Sequence, residues 1–415
     1  MRVAVTGLGV VSPLGQSADA AFANARAGVS SIQRLDLPGN QAIPMGRRLQ
    51  SPIAATVAFN GAEYFEPPRL RMLDRASQFA MVAASQAMAD AGFDASGAER
   101  ARGGVFVGTG MGGIESIDDG YQTLYAKQSD RIKPFMILLG MHNAPAAWIA
   151  SEYRFGGPCL TYSTACSSSA VAIGEAWLRL QRGELELAIA GGTEAPLAFG
   201  SLKAWEALRT VAAVDTANPS ASCKPFSKNR SGMVLGEGAA LLVLEPWDRA
   251  VARGAFIHGE LAGYGVSTDY SHITRPSPAG QATAMRTALE SAGMAPDEVD
   301  AINAHGTGTA ANDSAETAAI HAVFGERAKR IPVSATKALH GHLLGATSAL
   351  ECVLSLLAMQ HSVALPTMHL DQPDIECDLD FVPGQARNGI AVRAMLSNSF
   401  AFGGTNAVLA LRAAE

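Results

Sequence analysis

Short β-branched runs alternate with alanine-rich stretches along this chain, and the order of the pieces repeats. Residues 3–6, 104–107, 187–190 and 239–244 read as buried strands, while 78–91, 168–181 and 281–292 read as helices. Strands buried on both faces need helices packed on each side, so an α/β protein with covered sheets is expected. Three segments then recur in one order. Val5-Thr6-Gly7-Leu8-Gly9 is echoed by Leu261-Ala262-Gly263-Tyr264-Gly265, residues 104–110 by 301–308, and 235–244 by 402–411. An ordered recurrence with its junction near residue 250 predicts a duplicated α/β unit, with an N-terminal half at 1–250 packed on a C-terminal half at 251–415.

Composition narrows the class. Apolar types make up 48% and charged types 17%, which excludes a disordered chain. With 32 basic and 38 acidic side chains the net charge is −6, which argues against a general nucleic-acid coat. Aromatics reach only 6% beside 42 glycines, so the core should consist of small and aliphatic side chains. No apolar run approaches the length of a membrane span, and the first residues read as a strand and turn, not a signal peptide. The five cysteines are odd in number and widely spaced, so reduced thiols in a cytoplasmic protein are expected.

One of those cysteines stands apart. Cys166 lies in Ser163-Thr164-Ala165-Cys166-Ser167-Ser168-Ser169, after a short strand and before an apolar helix. At such a turn, free backbone N–H groups and the helix dipole favour a thiolate and can hold an oxyanion on a bound acyl group. Cys159, Cys223, Cys352 and Cys377 lack that setting and read as structural. A cysteine nucleophile needs partners, usually distant in sequence. Two glycine-rich segments supply histidines: Asn303-Ala304-His305-Gly306-Thr307-Gly308-Thr309, and Lys337-Ala338-Leu339-His340-Gly341-His342 ahead of a helix containing Glu351. His142, His258, His321, His361 and His369 read as structural or solvated. No Cys-x-x-Cys, His-Glu-x-x-His or carboxylate cluster joins the paired histidines, so no metal site is expected. Gly108-Thr109-Gly110-Met111-Gly112-Gly113 fits G-x-G-x-x-G, but it lies deep in the chain and no Walker A lysine motif exists, so no nucleotide cofactor is expected.

Taken together, these segments resemble the β-ketoacyl-[acyl carrier protein] synthases of the thiolase superfamily, over essentially the whole chain. The likeness is nearest to the synthase II type and to ketosynthases of dissociated polyketide systems. It rests on Val5 through Gly15, Thr164-Ala165-Cys166-Ser167-Ser168, Ala190-Gly191-Gly192-Thr193-Glu194, and Lys224-Pro225-Phe226 followed by Val234-Leu235-Gly236-Glu237-Gly238. It continues through the two histidine segments and Asn398-Ser399-Phe400-Ala401-Phe402-Gly403-Gly404-Thr405-Asn406. The resemblance implies a thiolase fold of duplicated βαβαβαββ halves in five αβαβα layers. It implies a decarboxylative Claisen condensation of an acyl chain on Cys166 with malonyl-[acyl carrier protein], in fatty-acid or polyketide elongation. Cys166 would be the nucleophile, His305 and His342 the electrophilic pair, and Lys337 with Glu351 their supporting ion pair. Backbone N–H groups of Cys166 and Phe402 would form the oxyanion hole. Thr307, Thr309, Thr274 and His272 would bind the pantetheine arm, with Met111 and the gate residue Phe402 limiting the acyl pocket. No cofactor is implied, because phosphopantetheine arrives on the carrier protein.

The implied partners are an acyl carrier protein and a second subunit, either identical or a homologous chain-length subunit. A net-negative chain needs a local basic patch to dock an acidic carrier. Arg69, Arg71 and Arg75 at one helix entrance, with Lys203 and Arg209 about Trp205, form the candidate patch, although Glu206 stands where the synthase II type has an arginine. Ala401 departs from the family's usual Gly-Phe-Gly-Gly gate. A non-elongating chain-length subunit is the alternative role, and the intact Cys166 argues against it.

Overall fold

The computed structural model describes residues 1–35, 48–93, 95 and 100–414. Ten strands form its main sheet. In the first half these are β1 (Val3–Val11), β2 (Gly103–Gly108), β3 (Cys159–Tyr162), β4 (Leu187–Glu194) and β5 (Gly238–Pro246). In the second they are β6 (Gly259–Thr268), β7 (Ala301–Asn303), β8 (Val333–Ser334), β9 (Ala394–Phe400) and β10 (Thr405–Arg412). The spatial order is β3-β2-β4-β5-β1 and then β6-β10-β9-β7-β8. Each half thus lays down its third, second, fourth, fifth and first strand in the same sequence. The halves meet where β1 and β6 pair antiparallel, Ala4 opposite Glu260 and Val5 opposite Gly259.

Helices follow the same plan. The first half contributes α1 (Arg75–Asp90), α2 (Ala144–Glu152) and α3 (Ser168–Gln181). The second contributes α4 (Pro278–Ala292), α5 (Ala310–Phe324) and α6 (Thr347–Gln360). Both halves therefore read βαβαβαββ. Three apolar clusters show how they stack. Phe79 and Met88 of α1 pack on Val105, Ile189 and Val243, forming one outer face. Met285 of α4 and Ile320 of α5 pack on Ile302, Leu396 and Val408, forming the other. Ile173 and Trp177 of α3, with Leu350 and Val353 of α6, lie between the sheets against Val5, Leu242 and Leu409. The result is five layers, α-β-α-β-α. Successive residues of β5 serve opposite layers, Leu242 and Leu244 the centre and Leu241 and Val243 the outside, which is why these strands read apolar without alternation.

The first echo in the sequence now has a cause. A side chain at Gly9 would place its Cβ 1.8 Å from the carbonyl oxygen of Ala83, on α1. At Gly265 the equivalent Cβ would lie 2.2 Å from the carbonyl of Ala284, on α4. Helix backbone presses on strand backbone at both places, so only glycine fits. The same crossing was built twice.

Candidate active site

Cys166 sits in a 3-10 turn, Ala165–Ser167, between β3 and α3. Ala165 has φ 51, in the left-handed region that a side chain disfavours, so surrounding bonds must hold the turn. Thr164 donates its N–H to Ser168 Oγ at 2.9 Å, and that hydroxyl donates to the Ala165 carbonyl at 2.6 Å. The other half adds two staples. Ser348 Oγ donates to the Cys166 carbonyl at 3.2 Å, and Ala349 N donates to Ser169 Oγ at 3.0 Å. The first turns of α3 and α6, partners in the duplication, are thereby fastened together with the sulfur between them.

The C-terminal half brings both histidines to that sulfur. His305 follows β7, and His342 follows the short helix Lys337–His340. Cys166 Sγ and a ring nitrogen of each histidine lie within 4.8 Å of one another, and the two rings meet edge to face with centroids 5.5 Å apart. His342 Nδ1 is hydrogen-bonded to Thr347 Oγ1 at 2.9 Å, while its Nε2 is buried with no protein partner. If Thr347 donates there, Nε2 carries the proton and is an available donor. Lys337, fully buried, donates to the His305 carbonyl and to Glu351 Oε1, the latter at 2.7 Å.

Burial governs the charges here. It pushes the Cys166 thiol up to about 11, against the pull of the Lys337 charge and of the N–H groups of Phe402 and Cys166 directed at the sulfur. The expected thiolate is therefore corrected: desolvation outweighs the helix start, and the resting group is a thiol. Burial also holds His305 and His342 well below the usual imidazole value, and the Lys337 cation pushes the same way. Both rings are neutral at pH 7.

Two buried carboxylates missed by local sequence reasoning hold the loops. Glu316 accepts the N–H groups of His305 at 2.8 Å and Gly306 at 2.9 Å, and Asn398 Nδ2 at 3.1 Å. Glu194 accepts from Gly110 N at 2.6 Å, Met111 N at 2.9 Å and Gly345 N at 2.9 Å, tying the glycine-rich loop after β2 to the turn beyond His342. The first fixes where His305 stands. The second fixes the loop after β2 against the turn that carries Gly345.

The sulfur and both imidazoles end a narrow cavity with about 60 Å³ of room for water-sized groups. Thr307, Thr309, Thr274 and Phe402 also line it, as do Met233 and Arg275, which the sequence did not single out. Two expected residues stand elsewhere. His272 is outside the lining and instead orders Thr274, whose N–H it accepts on Nδ1 at 3.1 Å. Met111 packs in one apolar cluster with Met233, Leu202, Leu235 and Leu344, and of the two methionines Met233 is the one that lines the cavity. His340 is buried against Thr336 Oγ1 at 3.0 Å and does not face the sulfur's cavity. Phe402 stacks on Trp205, centroids 6.3 Å apart, at the edge of that cluster.

The basic patch is reduced. Arg75 clasps both oxygens of Glu237, at 2.8 and 2.7 Å, and also bonds the Val57 carbonyl, so it is an internal strut and not a docking group. Lys203 is bound to the Arg48 carbonyl and to Glu206, and Arg69 pairs with Glu152 at 2.6 Å. Glu206 itself accepts the N–H groups of Gln50 and Ser51, which is its structural use in place of an arginine. Arg71 and Arg209 remain exposed with no side-chain partner among the described residues.

Comparison with known proteins gives one answer. Family models for the β-ketoacyl synthase N-terminal domain and C-terminal domain match residues 1–250 and 258–371. The chain is 37% identical to 3-oxoacyl-[acyl-carrier-protein] synthase 2 of Staphylococcus aureus (strain MRSA252), covering 100% of this chain and 99% of that protein. It is 40% identical to the protein of the same name in Rhizobium meliloti (strain 1021), over 99% and 98%. Among solved structures, the ishigamide ketosynthase/chain length factor superimposes with a TM-score of 0.90 at 34% identity, covering 100% of this chain and 99% of that one. A type II PKS acyl-carrier protein in complex with its ketosynthase bound to the hexaketide gives 0.91 at 30% identity, over 100% and 99%.

Proposed function

The chain belongs to the β-ketoacyl synthase family, and from that premise we propose how its own residues run the reaction. It is a ketosynthase, an acyltransferase that condenses units in fatty-acid or polyketide elongation. The observation that carries the finer reading is one neutral thiol beside two neutral imidazoles at the closed end of a cavity.

In the first step Cys166 sulfur attacks the thioester of an incoming acyl chain. The N–H groups of Cys166 and Phe402 steady the oxyanion, the carrier thiol leaves, and the proton of Cys166 ends on that thiol. In the second step malonyl thioester loses its carboxylate as carbon dioxide, and the electron pair moves onto the thioester oxygen. A cation would protonate that enolate; a neutral N–H stabilises it and leaves the carbon nucleophilic. His305 and His342, kept neutral by burial and by Lys337, suit that task. The enolate carbon then attacks the acyl-Cys166 carbonyl, a carbon–carbon bond replaces the carbon–sulfur bond, and Cys166 leaves and regains a proton. Neither metal nor organic cofactor enters these steps, and dialysis against a chelator should leave carbon dioxide release unchanged.

The substrate carrier is an acyl carrier protein, and the enzyme works as a dimer. The free edge of the main sheet at β3, where Leu160 is exposed, supports a second copy or a homologous subunit there. Among the described residues no helix is long and apolar enough to cross a membrane, and all five cysteines are free thiols, in keeping with a cytoplasmic location. The test is carbon dioxide release from malonyl carrier protein. His305→Ala and His342→Ala should each lower it by about 10²-fold or more, and His340→Ala far less. A larger loss at His340 would reject the assignment.

A further inference from the structure

The cavity that closes at Cys166 opens beside one permanently charged side chain. Arg275 lines it next to Thr274 and is exposed. Its guanidinium has no hydrogen bond or ion pair among the described residues. Nothing else in the lining is cationic, since burial keeps His305 and His342 neutral. Asp269 is the single carboxylate in the lining, and both its oxygens are occupied, Oδ2 by Ser277 N at 2.9 Å and Oδ1 by Asn406 Nδ2 at 3.0 Å. The mouth therefore offers a cation that makes no ion pair with Asp269 or any other described carboxylate.

Further in, the lining changes character. Thr307 and Thr309 present hydroxyls 2.8 Å apart, and beyond them lie the buried sulfur and imidazoles. The order from solvent inward is cation, hydroxyls, nucleophile. A 4′-phosphopantetheine arm carries a matching order: one phosphodiester, two amides, one thioester. We propose that Arg275 binds the phosphodiester of that arm and thereby sets the depth at which the thioester meets Cys166. This rests on the reading that acyl groups arrive on a carrier protein. A guanidinium suits the role because its planar fork meets two phosphate oxygens at once.

The position also bears on the gate. The Ile273 carbonyl accepts the N–H of Gly403 at 2.8 Å, and Asp269 N donates to the Gly404 carbonyl at 2.8 Å. The segment carrying Arg275 is thus laced to the loop whose Phe402 N–H faces the sulfur. Anchoring the arm at Arg275 holds that loop through the same two bonds.

Two small acyl donors differing by one phosphate provide the test, an acyl pantetheine and the corresponding acyl 4′-phosphopantetheine, assayed for acylation of Cys166. The wild type should prefer the phosphorylated donor by about tenfold in kcat/KM, the scale of a solvent-exposed charge-assisted bond. Arg275→Ala should erase the preference by slowing only that donor, and Arg275→Lys should retain part of it. Added salt should shrink the wild-type preference and leave the alanine variant unmoved. Equal rates for the two donors in the wild type, or an equal loss on both in Arg275→Ala, would overturn the proposal. Failure of the wild type to become acylated by either donor would overturn the ketosynthase reading instead, so the two failures are distinct.

Discussion

Glu351→Gln and Lys337→Met, made singly, and the double variant Lys337→Met/Glu351→Leu separate the structural from the chemical role of the buried ion pair. Both side chains are fully buried and 2.7 Å apart. Glu351→Gln leaves the ammonium in the core without its carboxylate, and breaking a buried pair from one side costs about 3–5 kcal/mol. Replacing both charges by apolar groups of similar volume is often neutral or stabilising. The double variant should therefore unfold in urea within about 1 kcal/mol of the wild type or later, and the single variant far earlier. Activity should part from stability. Lys337 also holds the His305 carbonyl, and its charge helps keep His305 and His342 below their ordinary value. Without the cation both imidazoles titrate higher, so the neutral donors disappear sooner as pH falls. Residual decarboxylation by the double variant, expected to be down about 10²-fold, should fall away at a higher pH than that of the wild type as the solution is acidified. A double variant as unstable as Glu351→Gln would refute the electrostatic reasoning. One that is stable and fully active would refute the role of Lys337 in the chemistry.

Three further outcomes follow from the same geometry. With its thiol near 11, Cys166 is about one part in 10⁴ thiolate at pH 7, so its alkylation should quicken roughly tenfold per pH unit up to pH 10; a plateau near pH 8 would contradict the burial effect. Met233→Trp should raise the KM for a pantetheine-borne substrate more than Met111→Trp does, because of the two only Met233 lines the cavity through which that arm reaches Cys166. Arg71→Glu should raise the KM for carrier-bound substrate and spare a small pantetheine thioester, whereas Arg75→Glu should lower the unfolding midpoint and impair both.

Much of this is legible in the amino-acid sequence. The echo of Val5-Thr6-Gly7-Leu8-Gly9 in Leu261-Ala262-Gly263-Tyr264-Gly265 exposed the duplication because helix and strand backbones touch at the same place in each half, and only glycine permits it. The strand–turn–helix around Cys166 was local and therefore visible. What stayed hidden was long-range. Nothing near Arg75 announces Glu237 in sequence, so a strut looked like a docking group. Glu194 and Glu316 anchor the reactive loops through backbone N–H groups, which leave no side-chain pattern to read. The thiol of Cys166 was misjudged because a helix start can be read from sequence, whereas the degree of burial that outweighs it cannot.

The most direct test is where the acyl chain resides. Intact-mass and peptide mass spectrometry of the protein after incubation with an acyl carrier substrate measures this. One acyl group is expected, carried on the peptide containing Cys166 and absent from Cys166→Ala, which should keep the wild-type fold because it removes a single sulfur. An acyl group on Cys159 or Cys223, or hydrolysis of the thioester with no acyl-protein formed, would contradict it.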